Sequence, residues 1–187
     1  MSAPDDVPEI VRSSLALSLQ RGFITSTRHE TGRLLAALAA SRTGTLAELG
    51  TGTGVGSAWL SSGAPKGAHI VSAELDSALA EDVQKLFADV DNVEIVAGDW
   101  TSLEQHAPFS RLFVDVREVM ESIDVLADLL EPGGIAVLDD FAPSTSWPPI
   151  VDGMVDTVRE QWLTDERFVA VEMLIAPDAS LLIATRR

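Results

Sequence analysis

The sequence predicts an α/β fold: a doubly wound, mainly parallel sheet with helices on both faces. Three observations carry this expectation. Short runs rich in Val, Ile, Leu and Ala, without clean polar alternation, recur along the chain, as strands buried on both faces require. Segments of helical apolar spacing separate them, the arrangement that returns a chain to a parallel neighbour. The first such run is followed by a glycine-rich bend, Gly50, Gly52, Gly54 and Gly56, where a strand passes into a helix. A length of 187 residues holds one domain of this kind. It is expected to divide into an N-terminal helical lid over 1–43 and a core over 44–187.

The elements follow in order. Residues 7–20 and 29–41 show helical spacing, with Leu34, Leu35, Leu38 and Ala39 forming one stripe in the second. A strand over 45–49 leads through the glycine bend into a helix over 55–62, ended by Gly63 and Pro65. A strand over 69–74 and a helix over 77–88, with Ser77 as N-cap, repeat the pattern. Strands are predicted over 93–97 and 111–116, and a helix over 123–130 runs into Pro132, Gly133 and Gly134 before a strand at 135–138. The stretch APSTSWPP reads as loop, and 150–163 as a helix. The runs 168–175 and 180–185 are separated by too few residues for a crossover helix, so they are expected to pair as an antiparallel hairpin. The predicted sheet therefore has seven strands, five parallel plus this hairpin.

Composition narrows the partners. Thirteen Lys plus Arg against 29 Asp plus Glu give a formal net charge of −16, which makes nucleic acid a poor partner. Cysteine is absent, which removes disulfides, thiolate ligands and a Cys nucleophile, so a metal would have to sit on oxygen or on the three histidines. Asp5 and Asp6 stand where a secretory leader carries basic residues, and no apolar run approaches ~18 residues. The expectation is a soluble cytoplasmic protein that does not engage a membrane.

The strongest local signal is the run Glu48-Leu49-Gly50-Thr51-Gly52-Thr53-Gly54 at the end of the first parallel strand. A backbone that turns this sharply lets a ligand lie against it, and the next helix opens with unpaired N–H donors suited to an anionic group. A dinucleotide fingerprint would place its third glycine at 55 or 57, where Val55 and Ser57 stand instead, so nicotinamide binding is disfavoured. Glu74, at the end of the second strand, is placed to accept both ribose hydroxyls of an adenosine cofactor, or is only a strand-end carboxylate. Asp99 and Trp100, just past the third strand, can take an adenine amine and supply a flat apolar wall, or serve as helix cap and core residue. Asp115 and the pair Asp139 and Asp140 fall at the carboxyl ends of adjacent strands. Such clustering needs either a cation or a retained proton, and hard oxygen ligands favour Mg²⁺, or else Ca²⁺ or Mn²⁺.

Taken in order, ELGTGTG, Glu74 in VSAELD, GDW, Asp115 in LFVDV, and LEPGGIAVLDDF resemble the class I S-adenosylmethionine-dependent methyltransferases. Within that class the chain is most similar to the small O-methyltransferases of the catechol and caffeoyl-CoA type. The resemblance covers roughly residues 30 to 187 and includes the terminal hairpin, which in this class adds strands seven and six beside strand five. It implies a Rossmann-like methyltransferase fold preceded by two helices, with S-adenosyl-L-methionine as cofactor and methylation of a small-molecule hydroxyl. It further implies that Glu48, Gly50, Thr51 and Gly52 belong to the cofactor loop and that Ser57 meets the methionine carboxylate. Glu74 would hold the ribose, Leu75 would pack on the adenine, and Asp99 with Trp100 would close the base pocket. In the metal-dependent members the acid matching Asp115 joins an Asp-Asn pair, here Asp139 and Asp140.

Two departures affect mechanism. Asp140 replaces the usual Asn, and Glu118 stands where those members carry a general-base lysine; Lys66 and Lys85 lie elsewhere. Metal-assisted deprotonation, an aspartate such as Asp115, or His29 at the front of the second helix remain as bases. Trp147 and Phe141 are candidates for an acceptor pocket. An aminopropyl-transferase-like enzyme, a noncatalytic cofactor-binding protein and, further off, an NAD-dependent oxidoreductase are the alternatives. A homodimer through Leu15, Leu17 and Leu19 is a further expectation.

Overall fold

The computed structural model describes residues 7–187; Asp5 and Asp6, on which the reading of the amino terminus rested, lie outside the described residues. Two helices, α1 (Glu9–Arg21) and α2 (His29–Ala40), precede β1 (Thr45–Leu49), α3 (Val55–Gly63), β2 (His69–Glu74), α4 (Ser77–Leu86) and β3 (Val93–Ala97). A 3₁₀ helix (Trp100–His106), β4 (Phe109–Val114), α5 (Arg117–Met120), α6 (Ile123–Leu129) and β5 (Leu130–Phe141) complete the parallel part. The chain ends with β6 (Ile150–Val151), β7 (Met154–Val155), α7 (Thr157–Thr164), β8 (Phe168–Ala176) and β9 (Ala179–Arg186).

The seven-stranded sheet has the order β3-β2-β1-β4-β5-β9-β8. Pairs β1 with β2, β1 with β4, β2 with β3 and β4 with β5 are parallel, while β9 lies antiparallel to both β5 and β8. This is the doubly wound sheet with terminal hairpin that the apolar runs predict. The order reverses between β1 and β4, so a crevice opens above their carboxyl ends, which is where ligands bind in open sheets of this kind.

Both faces are covered. Leu46, Phe113 and Val137 pack with Val11, Leu35, Trp59 and Val83 from α1 to α4. Leu112, Val114 and Leu138 pack on the other side with Leu126, Trp162 and Phe168. All six β4 residues are buried, which explains why its sequence does not alternate. The N-terminal helices are a packing layer on α3 more than a lid; only the connector between them reaches the crevice. Leu17 packs against this layer, whereas Leu15 is 39% and Leu19 is 85% exposed. No helix among the described residues is long and apolar enough to cross a membrane.

Some expectations are corrected. Residues 150–163 are not one helix: 150–155 form the β6–β7 hairpin, and α7 begins only at Thr157. Asp152 (φ 52°) and Gly153 (φ 79°) take the left-handed conformation of a two-residue hairpin turn, which a helix cannot accommodate. Asp156 then caps α7 by accepting from the Arg159 backbone N–H at 3.1 Å. The strand expected at 111–116 starts earlier and stops at Val114, leaving Asp115 and Val116 beyond its end, and β5 runs well past the expected 135–138 at both ends.

The fully buried Arg159 ties the C-terminal part together. Its guanidinium donates to Glu172 Oε1 at 3.1 Å and to the Ala142 carbonyl at 2.5 Å, and it pairs with Asp156 at 3.2 Å. One side chain thus joins α7, β8 and the segment leaving β5.

Candidate active site

The bend after β1 is built for close approach. Gly50 has φ +97°, and a Cβ there would lie 2.5 Å from Val116 Cγ2, so any side chain would be both strained and obstructed. Gly52 N–H donates to Glu74 Oε2 at 2.8 Å, and Asp76 N–H to Glu74 Oε1 at 2.9 Å. Two backbone donors thereby orient the β2 acid, and each oxygen keeps a lone pair for a ligand.

Two cavities adjoin at Gly50 and Glu74. The first, of about 380 Å³, is walled by Leu75, Asp99, Trp100, Val116, Glu118 and Val119. The second, of about 210 Å³, has Thr25, Ser26, Thr27, Asp115 and Asp140 with Phe23, Val55 and Val116 around the glycine bend. Asp99 accepts from Thr101 N–H at 3.0 Å and from the Thr101 hydroxyl at 2.7 Å, and these bonds hold its carboxyl below the usual carboxylate range. It is therefore the cap of the 3₁₀ helix and also lines the first cavity.

On the second side, burial is the main force. It pushes Asp115 up to about 9, helped by the nearby Asp139, Asp140 and Glu48 charges. Asp139 is also raised, by burial first, against the opposing pull of the Asp140 backbone N–H and the Thr31 hydroxyl. Asp139 Oδ1 and Thr31 Oγ1 nonetheless lack well-formed hydrogen bonds. Asp140 takes the left-handed conformation at φ 62°, is exposed, and borders the second cavity and two further ones, beside Arg117 and beside Arg28. The clustered acids thus meet their mutual repulsion by retaining a proton at Asp115.

Gly50, Thr51, Gly52, Glu74, Leu75, Asp99, Trp100, Asp115 and Asp140 all border the paired cavities. Four expectations are corrected. Ser57 does not face the crevice: its hydroxyl and its backbone N–H both donate to Glu48, and the residue is fully buried. Glu48, 1% exposed, also accepts from Ser72 at 2.7 Å, so it braces β1, β2 and α3 from beneath and lines no cavity among those described. His29 stands edge-on to Trp59, with ring centroids 5.3 Å apart, and borders neither cavity, because the start of α2 packs down on α3. Asp115, Asp139 and Asp140 do not bring one oxygen each within 4.8 Å of one another, since Asp139 is sunk in the sheet while Asp140 turns outward; as arranged, they do not fit a shared metal ion. Of the proposed acceptor residues, Phe141 is buried under the Arg117 and Arg159 guanidiniums, whereas Trp147 is 63% exposed.

Sequence reasoning missed Phe23 and Thr25 to Thr27, the connector between α1 and α2, and Val116 with Val119 beyond β4. The Phe23 ring lies against the bend: a Cβ on Gly52 would sit 3.0 Å from its Cζ. The only local signal for this wall was a polar break between two amphipathic stretches.

A doubly wound sheet of this order, with a glycine bend after β1 and acids closing β2 and β3, defines a methyltransferase of the S-adenosylmethionine-dependent class. Residues 3–139 match the family model "Protein-L-isoaspartate(D-aspartate) O-methyltransferase (PCMT)", and the chain belongs to that family. It is accordingly an S-adenosylmethionine-dependent methyltransferase, which sets aside the oxidoreductase, aminopropyl-transferase and noncatalytic alternatives. No curated protein matches it in sequence.

Solved structures agree on the fold. The O-methyltransferase from Bacillus cereus, in complex with SAH, is 18% identical with a TM-score of 0.80, covering 99% of this chain and 94% of that one. The O-methyltransferase TomG from Streptomyces achromogenes, involved in tomaymycin synthesis and in complex with SAM, is 21% identical with a TM-score of 0.76, covering 97% and 92%. The SAH-bound Podospora anserina methyltransferase PaMTH1 is 18% identical with a TM-score of 0.76, covering 97% and 89%.

Proposed function

We propose that the protein methylates a hydroxyl oxygen of a small, uncharged or cationic acceptor. The observation that carries this reading is the pair of cavities that meet at Gly50 and Glu74, one walled by Leu75, Trp100, Val116 and Val119 with Asp99 and Glu118 at its polar edge, the other by Thr25, Ser26, Thr27, Asp115 and Asp140. S-adenosylmethionine supplies an activated methyl group when bound. Glu74 accepts the ribose hydroxyls, the ionised Asp99 accepts the adenine amine, and Leu75 and Trp100 shield the base from water. Thr51 and Gly52 present the bend to the methionine part.

On the acceptor side Thr25, Ser26 and Thr27 orient the incoming hydroxyl. Asp115, neutral in the free protein, donates a hydrogen bond at neutral pH and is a poor base there. Asp140, open to the acceptor cavities, takes up the proton. Small O-methyltransferases are among the proteins of the same fold, which supports a hydroxyl acceptor. An isoaspartyl carboxylate, the acceptor in the family's name, is less favoured: Glu74 and Asp140 border the second cavity on a chain of net charge −16 and would disfavour a further anion.

Calorimetry with S-adenosylmethionine tests the donor half. Glu74→Ala should weaken binding by about 10- to 100-fold, as expected for loss of charged hydrogen bonds. Absence of binding to the native protein at millimolar concentration would remove the reading. Methyl-transfer assays on a phenol panel and on an isoaspartyl peptide test the acceptor half, and activity on the peptide alone would overturn it.

A further inference from the structure

The mechanism leaves one group of ligating side chains unused, at the far end of β2. His69 opens β2, Glu94 is the second residue of β3, and His106 ends the 3₁₀ helix. One ligand atom from each lies within 4.8 Å of the other two, the only group of three or more His, Cys, Asp or Glu side chains so gathered among the described residues. His69 Nε2 and Glu94 Oε2 are 3.4 Å apart, and the two imidazole centroids 6.3 Å. His106 Nε2 is buried without a hydrogen-bond partner, an arrangement that costs free energy unless something binds there.

The geometry points to a binding site for a zinc-like divalent cation formed by His69, Glu94 and His106. A tetrahedral ion with bonds of about 2.0 Å holds its ligands about 3.3 Å apart, close to the 3.4 Å already present between His69 and Glu94. Two imidazoles with one carboxylate select zinc and its transition-metal neighbours over magnesium, which prefers an all-oxygen shell. Glu94 and His69 are partly open to solvent, so water completes the coordination.

This centre is distinct from the cofactor crevice. His69 and Glu74 stand at opposite ends of β2, five residue steps or roughly 16 Å apart. The two are nonetheless linked, because the 3₁₀ helix that ends in His106 begins at Trp100, with Asp99 as its cap, and both of these wall the first cavity. A bound ion would pin that helix to β2 and β3 and hold the wall in place, a structural role separate from methyl transfer.

Titrating chelator-treated protein with ZnCl₂ by calorimetry, and following its melting, tests the site. One ion should bind per chain, and saturating zinc should raise Tm by about 5–10 °C. His106→Gln and Glu94→Gln should each weaken zinc binding at least about tenfold, and a His69→Gln, His106→Gln double variant should abolish the Tm gain. Glu94 is exposed, so its variant tests the site without disturbing the core. The inference is overturned if the native protein does not respond to zinc, if the double variant responds like the native protein, or if Asp140→Asn removes the response instead. An equal response to MgCl₂ would also overturn it.

Discussion

Replacing Glu48 by Gln should make the fold's stability less dependent on pH. In the native chain the Glu48 carboxyl is sealed beneath the glycine bend, and burial pushes it from 4.5 up to about 7. Between those values the unfolded chain has released this proton and the folded chain still holds it. The folded state then binds more protons, and stability falls as pH rises from 4.5 to about 7. A change of that size corresponds to about 3 kcal/mol, lost over this window and constant above it. Gln carries no charge at any pH, and its carbonyl can still accept from Ser57 and Ser72. Thermal or urea unfolding of both proteins at intervals from pH 4.5 to 8.5 isolates most of the effect, because Asp139 is raised in both and Asp115, to whose rise to about 9 the Glu48 charge adds least, keeps its proton through the window in both folded states. The stability of Glu48→Gln relative to native should climb by about 3 kcal/mol across the window, on the order of 10 °C in Tm. Parallel curves would refute the claim that this acid is held protonated in the fold.

Two further outcomes follow from packing. Gly50→Ala places a Cβ against Val116 Cγ2 in a left-handed conformation; about 1–3 kcal/mol of stability should be lost in chemical unfolding, together with cofactor affinity measured by calorimetry. Arg159→Leu leaves Asp156 and Glu172 without their buried cation and should cost about 3–5 kcal/mol by the same unfolding measurement, whereas removing exposed Arg28 from its pair with Asp178 should cost under about 1 kcal/mol.

What the sequence makes legible here is what is decided locally. Strands buried on both faces announce themselves as apolar runs, and Glu74 and Asp99 were found because strand ends can be located from those runs. The hairpin at 150–155 was not, because Ile150, Val151, Met154 and Val155 also fit one helical stripe. Met154 is 72% exposed, so no core contact enforces either reading, and the Asp152-Gly153 turn decides. Ser57 and the connector at 23–27 are misplaced or missed for the opposite reason. The direction of the Ser57 hydroxyl is set by Glu48 on another element, and the connector becomes a wall only once α1 and α2 have docked on α3.

Phe23 leans on the glycine bend after β1, while residues 24–27 beside it line the adjoining cavities. These residues and the small arm around Asp152 lie outside the seven-stranded sheet, so substitutions there leave its register and the Glu74 strand end untouched. Position 23 is where this variable connector touches the fixed bend, and its ring marks the boundary between what the scaffold can vary and what it must keep.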